Sequence, residues 1–454
     1  MKLNGYDNLA QTEVSWVPQL PAHWTLVRFR HLFEFGRGLG ITKSNLKEEG
    51  IPCVNYGEIH STLGFEVIPE IHTLKCVEDL YLDEGKASLL KCGDFVFADT
   101  SEDLDGSGNF TYLNSNVPTF AGYHTVIARL QTDDLSRYLA YLFDSELFRF
   151  QIRKSVTGVK VYSITQAILK SGYVWLPPKE EQLKICQFLD VQTKKIDDLV
   201  AKKRTILDKL EEQRSAIINQ AIIRGIDSEA PMAPSSSSWL DEVPAHWREV
   251  RLRFMVQLNP LKSSLNGTAV DTMVSFVPMD AIGEYGGIRL DSTKPLCDVY
   301  GGYTYFADDD VVVAKITPCF ENGKGALASK LSNGVAFGTT ELHVLRAGEE
   351  VDSRWLFYLT SSHAFRAIGE SEMYGAGGQK RVPESFIKNF KLGIPPKAEQ
   401  IDIANYIDEK LSRIDKMVEL NQSAIAKLME YRSAIVSSVV TGHANVVNTQ
   451  LPAV

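Results

Sequence analysis

The chain has 454 residues, 44% hydrophobic and 23% charged, which is ordinary globular material with room for about two to four domains of roughly 150 residues. Forty-eight basic against 57 acidic residues leave a net charge of −9, which argues mildly against a generic nucleic-acid binder, although one face can be basic while the whole is acidic. No apolar run reaches the roughly 20 residues of a membrane span, and Met1 to Ala10 is too polar for a signal peptide, so a soluble cytoplasmic protein is expected. Six cysteines without a C-x-x-C pair and nine histidines without an H-x-x-x-H pair predict neither a zinc site nor a disulfide framework.

Taken in chain order, the sequence is written twice. Trp16 to Phe33 (WVPQLPAHWTLVRFRHLF) returns as Trp239 to Met255 (WLDEVPAHWREVRLRFM), with Trp24 and Trp247 223 positions apart. A β-branched segment, Asp94 to Ala98 (DFVFA), answers Asp310 to Ala314 (DVVVA). Arg137 to Phe148 (RYLAYLFDSELF) answers Arg354 to Phe365 (RWLFYLTSSHAF) at an offset of 217, within amphipathic helices expected over about Asp134 to Arg153 and Asp352 to Gly369. Leu176 to Gln182 (LPPKEEQ) then answers Ile394 to Gln400 (IPPKAEQ), offset by 218. Asp227 to Ser238 (DSEAPMAPSSSS) lacks apolar periodicity and reads as the linker between halves.

Neither Lys179 to Arg224 nor Lys397 to Thr441 contains glycine or proline, which predicts two long helices. The double prolines sit where a helix can begin, Glu180, Glu181 and Glu399 suit the dipole of its first turn, and Gly225 and Gly442 stop it. Both carry one seam: Val200, Lys203, Leu207, Leu210, Arg214, Ile217 and Ala221, and Val418, Asn421, Ile425, Leu428, Arg432, Ile435 and Val439. A heptad rhythm calls for a helix partner, expected to be the other copy, with a hairpin on each half's own domain as the alternative. Its polar interruptions suit register better than stability.

Catalytic signatures come close and fail. Gly36 to Ser44 (GRGLGITKS) ends like a phosphate loop, but Thr42 stands where the glycine before Lys43 is required. The Pro-Pro pairs lack the polar residue before and the aromatic after that a base-methylating tetrapeptide needs, and His23 and His246 of the duplicated Pro-Ala-His-Trp show no carboxylate recurring nearby in both halves. That segment reads instead as a hydrophobic clasp. No catalytic residue is expected. Basic residues gather before each Pro-Pro: Arg149, Arg153, Lys154 and Lys160, and Lys380, Arg381 and Lys388, the second group after Tyr374-Gly375-Ala376-Gly377-Gly378-Gln379. Such a loop can approach a phosphate backbone while its side chains reach base edges, and it equally suits an ordinary solvated loop.

The duplicated LPAHW/VPAHW openings, the LPPKEEQ/IPPKAEQ junctions, and the endings RSAIINQAIIRG and RSAIVSSVVTG resemble the specificity (S) subunit of type I restriction-modification systems over nearly the whole chain. The resemblance implies two tandem mixed α/β (α+β) target recognition domains, 1–178 and 239–396. It also implies conserved spacer helices, 179–226 and 397–443, pairing as an antiparallel coiled coil, with a linker at 227–238 and a tail at 444–454. It implies a non-catalytic subunit that reads an asymmetric split site in double-stranded DNA. Two methyltransferase (M) subunits and motor-nuclease (R) subunits would join it and hold S-adenosylmethionine, ATP and Mg, with no metal in this chain. About 33 helical residues at 1.5 Å each span roughly 50 Å, a ruler for half-sites centred about 10 to 15 base pairs apart. Candidate DNA contacts are Lys43, Arg153, Lys154, Lys160, Lys324, Gly377, Gly378, Gln379, Lys380 and Arg381. Gly158-Val159-Lys160 replaces the richer glycine loop of the second copy, so two different half-sites are expected. A coiled-coil scaffold whose α/β units bind protein, and a self-contained DNA-modifying enzyme, are the alternatives.

Overall fold

The computed structural model describes residues 4–158, 160–376 and 378–449. The chain forms two compact units: unit 1 is built from the residues before Arg204 together with those from Ser423 onward, and unit 2 from Arg204–Gln422. Neither unit coincides with one copy of the repeat.

In unit 1, strands β1 (Phe33–Arg37), β2 (Phe95–Ala98), β3 (Phe110–Leu113) and β4 (Thr125–Leu130) form a sheet in the order β1-β4-β2-β3, extended by Glu66–Val67 beside β3. All pairs are antiparallel except the last. Alternation along β2 sends Phe95 and Phe97 to an aromatic core with Phe29, Phe33 and Phe143, and Val96 and Ala98 to an aliphatic one with Val54 and Ile127. A strand buried on both faces accounts for the unbroken apolar run FVFA. A second sheet has the order Cys76–Val77, Ile51–Val54, Thr119–Ala121, Leu89–Leu90, with its middle pair parallel.

Helices α1 (Ser136–Asp144) and α2 (Glu146–Ser155) cover the aromatic face, and α3 (Lys179–Arg224) starts in unit 1 and ends in unit 2. The single amphipathic helix expected over 134–153 is thus two. Ser145 leaves the helical conformation (φ −72, ψ 144), accepts from Phe148 N at 3.4 Å and donates to Leu142 O at 2.6 Å. This buried hydroxyl satisfies groups at both helix ends, so the break leaves little unpaired.

Unit 2 repeats the plan. Strands β5 (Val256–Leu258), β6 (Asp310–Ala314), β7 (Gly325–Leu327) and β8 (Leu342–Ala347) run antiparallel in the order β5-β8-β6-β7. The companion sheet has the order Thr293–Pro295, Met273–Val277, Val335–Gly338, Thr304–Ala307, again with a parallel middle pair. Helices α4 (Ser353–Ser361) and α5 (His363–Ser371) break at Ser362, which caps Phe365 N as Ser145 caps Phe148 N. The last long helix is α6 (Lys397–Val440).

Within each unit α3 and α6 pair antiparallel. In unit 1, Trp175, just ahead of α3, donates to Val440 O at 2.5 Å, and Asp197 accepts from Arg432 at 3.2 Å. In unit 2, Arg214 donates to Asp415. Asp197 and Asp415 are equivalent in the repeat, as are Arg214 and Arg432, so each pair joins one copy's aspartate to the other copy's arginine. The partner of each helix is therefore the other copy. The predicted seam is buried unevenly: Val200, Leu210 and Ile435 are buried, Ile217, Val418, Ile425 and Leu428 pack against the cores half-buried, and Lys203, Leu207 and Asn421 are half-buried.

Residues 227–238, read as the linker between the halves, fall within unit 2. Met232–Pro234 pairs with Glu242–Pro244, and Ser235 and Ser236 both donate to Glu249. The matching piece of unit 1 pairs Leu9–Gln11 with Gln19–Pro21.

Candidate nucleic-acid interface

The duplicated motifs meet at the start of each long helix. In unit 1 the carboxylate of Glu181 takes the indole N–H of Trp24 at 3.1 Å and lies 2.8 Å from His23 Nε2. In unit 2 Glu399 takes Trp247 at 3.0 Å and lies 2.8 Å from His246 Nε2. A carboxylate does recur with each histidine, contrary to the sequence expectation, and the first-turn glutamates do more than suit a dipole. Each glutamate ties a buried tryptophan and its neighbouring histidine to the first turn of the long helix, which makes the group a clasp. The glutamine after each glutamate is fully buried: Gln182 Oε1 accepts from Leu135 N at 2.9 Å and Gln400 Oε1 from Asp352 N at 2.8 Å, fixing the entry to α1 and α4. Asp190 holds Arg137 and Tyr141, and Asp408 holds Arg354 and Tyr358, in the same way.

Gly442 (φ 72) ends α6 in unit 1, and Gly225 (φ 74) ends α3 in unit 2. A Cβ on Gly442 would meet the ring of Pro21 at 2.4 Å, and one on Gly225 would meet Trp247 at 3.2 Å. Left-handed backbone and close approach together demand glycine at both stops.

The candidate DNA contacts scatter more than the sequence implied. In unit 1, Lys43 and Lys160 are exposed, Lys154 is exposed with its ammonium 5.1 Å from the ring of Trp16, and Arg153 is engaged by Glu146 at 3.1 Å. Val159 lies outside the described residues, as does Gly377. In unit 2, Gly378, Gln379 and Lys380 are exposed on a hairpin whose arms pair Tyr374 with Arg381. Tyr374 is 68% exposed, a ring displayed beside these polar groups. Arg381 is held bidentate by Glu341 at 2.8 and 2.9 Å, and the guanidinium keeps that carboxyl below the usual carboxylate range. It braces the hairpin. Lys324 is half-buried and donates to Met279 O at 3.1 Å.

Two clefts of unit 1 escaped the sequence reading. One, of about 610 Å³, is lined by Tyr56, His60, Ser101, Asp103, Asn109 and Val161, beside the loop that carries Lys160. The other, of about 580 Å³, joins Arg37 of the failed phosphate loop to His124, Thr125, Ser163 and Thr165, donors suited to a phosphodiester oxygen, with the Asp99 carboxylate facing His124 at 3.2 Å. Nothing local in the sequence signals this grouping, because Arg37, His124 and Thr165 lie on three separate segments. Among the described residues no group of three or more His, Cys, Asp or Glu is placed to hold a metal ion, and no helix is long and apolar enough to cross a membrane.

Against known proteins, residues 21–212 match the type I restriction modification DNA specificity domain. The chain is 35% identical over 196 residues to the type I restriction enzyme EcoEI specificity subunit of Escherichia coli, covering 43% of this chain and 32% of that one. It is 33% identical over 233 residues to the EcoAI specificity subunit of the same organism, covering 51% and 38%. The chain thus spans under two fifths of the length of these two curated relatives. A putative type I restriction enzyme specificity subunit of Methanocaldococcus jannaschii, MjaX, is 22% identical over 456 residues, 96% of each chain. A solved chain from work on complex assembly and conformational transition of the type I R-M system aligns with a TM-score of 0.66 over 93% of this chain and 98% of its own, at 15% identity, and so shares the fold. With its duplicated junctions and helices, the chain is similar to the specificity subunits of type I restriction-modification systems, and its residues 21–212 match their DNA specificity domain.

Proposed function

We propose that this chain gives a type I restriction-modification complex its DNA sequence, each unit reading one half of an asymmetric split site. The supporting observation is a two-sheet frame built twice with unlike loops. The hairpin Tyr374–Arg381 and the segment 315–325 stand in unit 2 where unit 1 has the loop 156–163 and the segment 100–109. Different loops on one frame read different bases.

The chain itself is non-catalytic in this reading and works in the cytoplasm. Methylation of adenine and DNA translocation and cleavage belong to docked methyltransferase and motor-nuclease subunits, which hold S-adenosylmethionine, ATP and Mg. Exposed apolar side chains on the long helices, among them Leu183, Leu199, Met417 and Leu420, support docking of protein there. The overall acidity supports sharing phosphate neutralisation with such partners.

The test is selection from randomised duplex DNA by the complex that co-purifies with the full chain. Two short fixed blocks separated by a constant unread gap are expected. A single continuous motif would overturn split reading while keeping DNA binding. No enrichment at low salt would move a protein-binding scaffold to first place.

A further inference from the structure

Arg366, on α5, is 9% exposed, yet every acceptor it uses is a main-chain carbonyl. Nε donates to Thr360 O at 2.7 Å, Nη1 to Phe320 O at 3.1 Å, and Nη2 to Gly323 O at 3.3 Å and Lys324 O at 3.4 Å. The guanidinium also lies 4.8 Å from the ring of Phe320. No carboxylate of the described residues pairs with it, and burial pulls it down to about 10. A buried cation without a counter-ion is costly, and here three carbonyls of one irregular segment, 320–324, solvate it together with that of Thr360. The dependence runs both ways: the cation needs those oxygens, and the segment is held in the one shape that presents them.

That segment links β6 to β7 and is joined to the other loops of unit 2. Val382 N donates to Lys315 O at 2.8 Å, Thr317 N to Lys380 O at 3.0 Å, and Tyr285 N to Gly323 O at 3.4 Å. Through 315–325 the arginine therefore sets the hairpin that displays Tyr374, Gln379 and Lys380. The equivalent residue of unit 1, 217 positions earlier, is again an arginine with a loop to hold. Arg149 donates to Asn109 Oδ1 at 2.6 Å, Asn109 Nδ2 lies 3.0 Å from His60 Nδ1, and His60 Nε2 lies 2.8 Å from Thr100 O. In both copies a guanidinium from the second covering helix reaches the segment that follows the central strand. Arg366 holds its segment through three main-chain carbonyls, whereas Arg149 holds its own through one side-chain amide and also pairs with Asp144 at 3.3 Å.

We propose that Arg366 and Arg149 are positioning residues for DNA specificity: without touching DNA, each fixes the loop after the central strand of its unit in the shape that decides which bases that unit discriminates. The proposal rests on the DNA-specificity reading above. Its test uses the full chain in its co-purified complex, with Arg366→Met, Arg366→Lys and Arg149→Met. Amide hydrogen exchange reads the loop directly. In Arg366→Met, residues 315–325 and 374–382 are expected to exchange at least about tenfold faster while the sheet amides keep their protection, and Arg366→Lys recovers part of the difference.

DNA selection reads the consequence. Arg366→Met should blur the half-site that Lys380→Glu also blurs and leave the other sharp, and Arg149→Met should blur that other half. Unchanged exchange in 315–325 would overturn the proposal, as would equal loss at both half-sites. If the unsubstituted complex selects no split site while exchange responds as expected, the arginines still hold the loops and the DNA reading is what fails.

Discussion

In unit 1 the carboxylate of Glu181 takes three donors, from Tyr6, His23 and Trp24, and its side chain is 9% exposed. In unit 2 that of Glu399 takes two among the described residues, from His246 and Trp247, at 24%. Arg432 of unit 1 joins Asp144 at 3.0 Å as well as Asp197. Its counterpart Arg214 meets Asp415 and lies 3.9 Å from Glu211, Ser361 standing where Asp144 would be. The buried Asp94–Arg129 pair of unit 1 returns as Asp310–Arg346 in unit 2. Central strands, serine breaks, clasps and helix stops are thus shared, and departures grow toward the loops. Contacts that hold the two sheets and the long helices are constrained by packing in both copies, whereas loops answer to whatever each unit binds.

The largest effect should come from the shared part. Trp24→Ala and Trp247→Ala each remove a buried indole and leave a glutamate short of a donor, and each is expected to cost its own unit about 3–5 kcal/mol. Calorimetry should resolve two transitions where one unit falls behind the other. Equal losses in both units from one substitution would mean that the units do not melt separately.

A smaller difference separates the arginines. Arg432→Ala breaks two charge-assisted contacts at a half-buried site, expected at roughly 1.5–3 kcal/mol. Arg214→Ala loses a pair whose aspartate is 60% exposed, under about 1 kcal/mol. Denaturant midpoints of the two variants give the order, and a reversed order would contradict the unit-by-unit reading.

The smallest expected effect concerns acid. His343 of β8 is buried, lies 2.9 Å from Val382 O through Nε2, and stands where unit 1 has Val126. Burial pushes its pKa below the ordinary value of 6.5, ahead of the opposing effects of the Val382 carbonyl, Glu384 and Glu341. The folded imidazole therefore binds its proton later than the unfolded one. Stability is complete above about pH 6.5 and declines as pH falls through that value toward the folded pKa. Unit 2 should soften in this window and unit 1 should not, and His343→Val should remove the difference in hydrogen exchange of residues 342–347 and 374–382. An unaltered pH profile in that variant would assign the softening elsewhere.

Repeats and long helices were legible because they are written in the chain: two stretches without glycine or proline, glycine stops, and motifs returning at nearly constant offset. The break at Ser145 and Ser362 was hidden because serine interrupts a helix only when a buried hydroxyl can serve both ends, which depends on packing. The clasp was missed because Glu181 lies over 150 residues from His23, and a first-turn glutamate already had a local explanation. Co-occurrence of His-Trp with Glu-Gln in both halves was the signal that could have joined them. Of the candidate contacts, Lys380 and its exposed neighbours sit on one hairpin as the spacing implied. Arg381 looked identical in sequence but turns inward to Glu341, a choice made by a partner 40 residues away.

The exchange of helix ends between the copies sets the boundary of a gene copy apart from that of a folded body. A protease nick in 227–238 would leave one fragment holding α3 beyond Arg204, which belongs to unit 2, and another holding α6 beyond Ser423, which belongs to unit 1. Neither fragment could satisfy its apolar surface alone, so the cut chain would persist as a non-covalent pair, mutually dependent for folding and divisible only by denaturation.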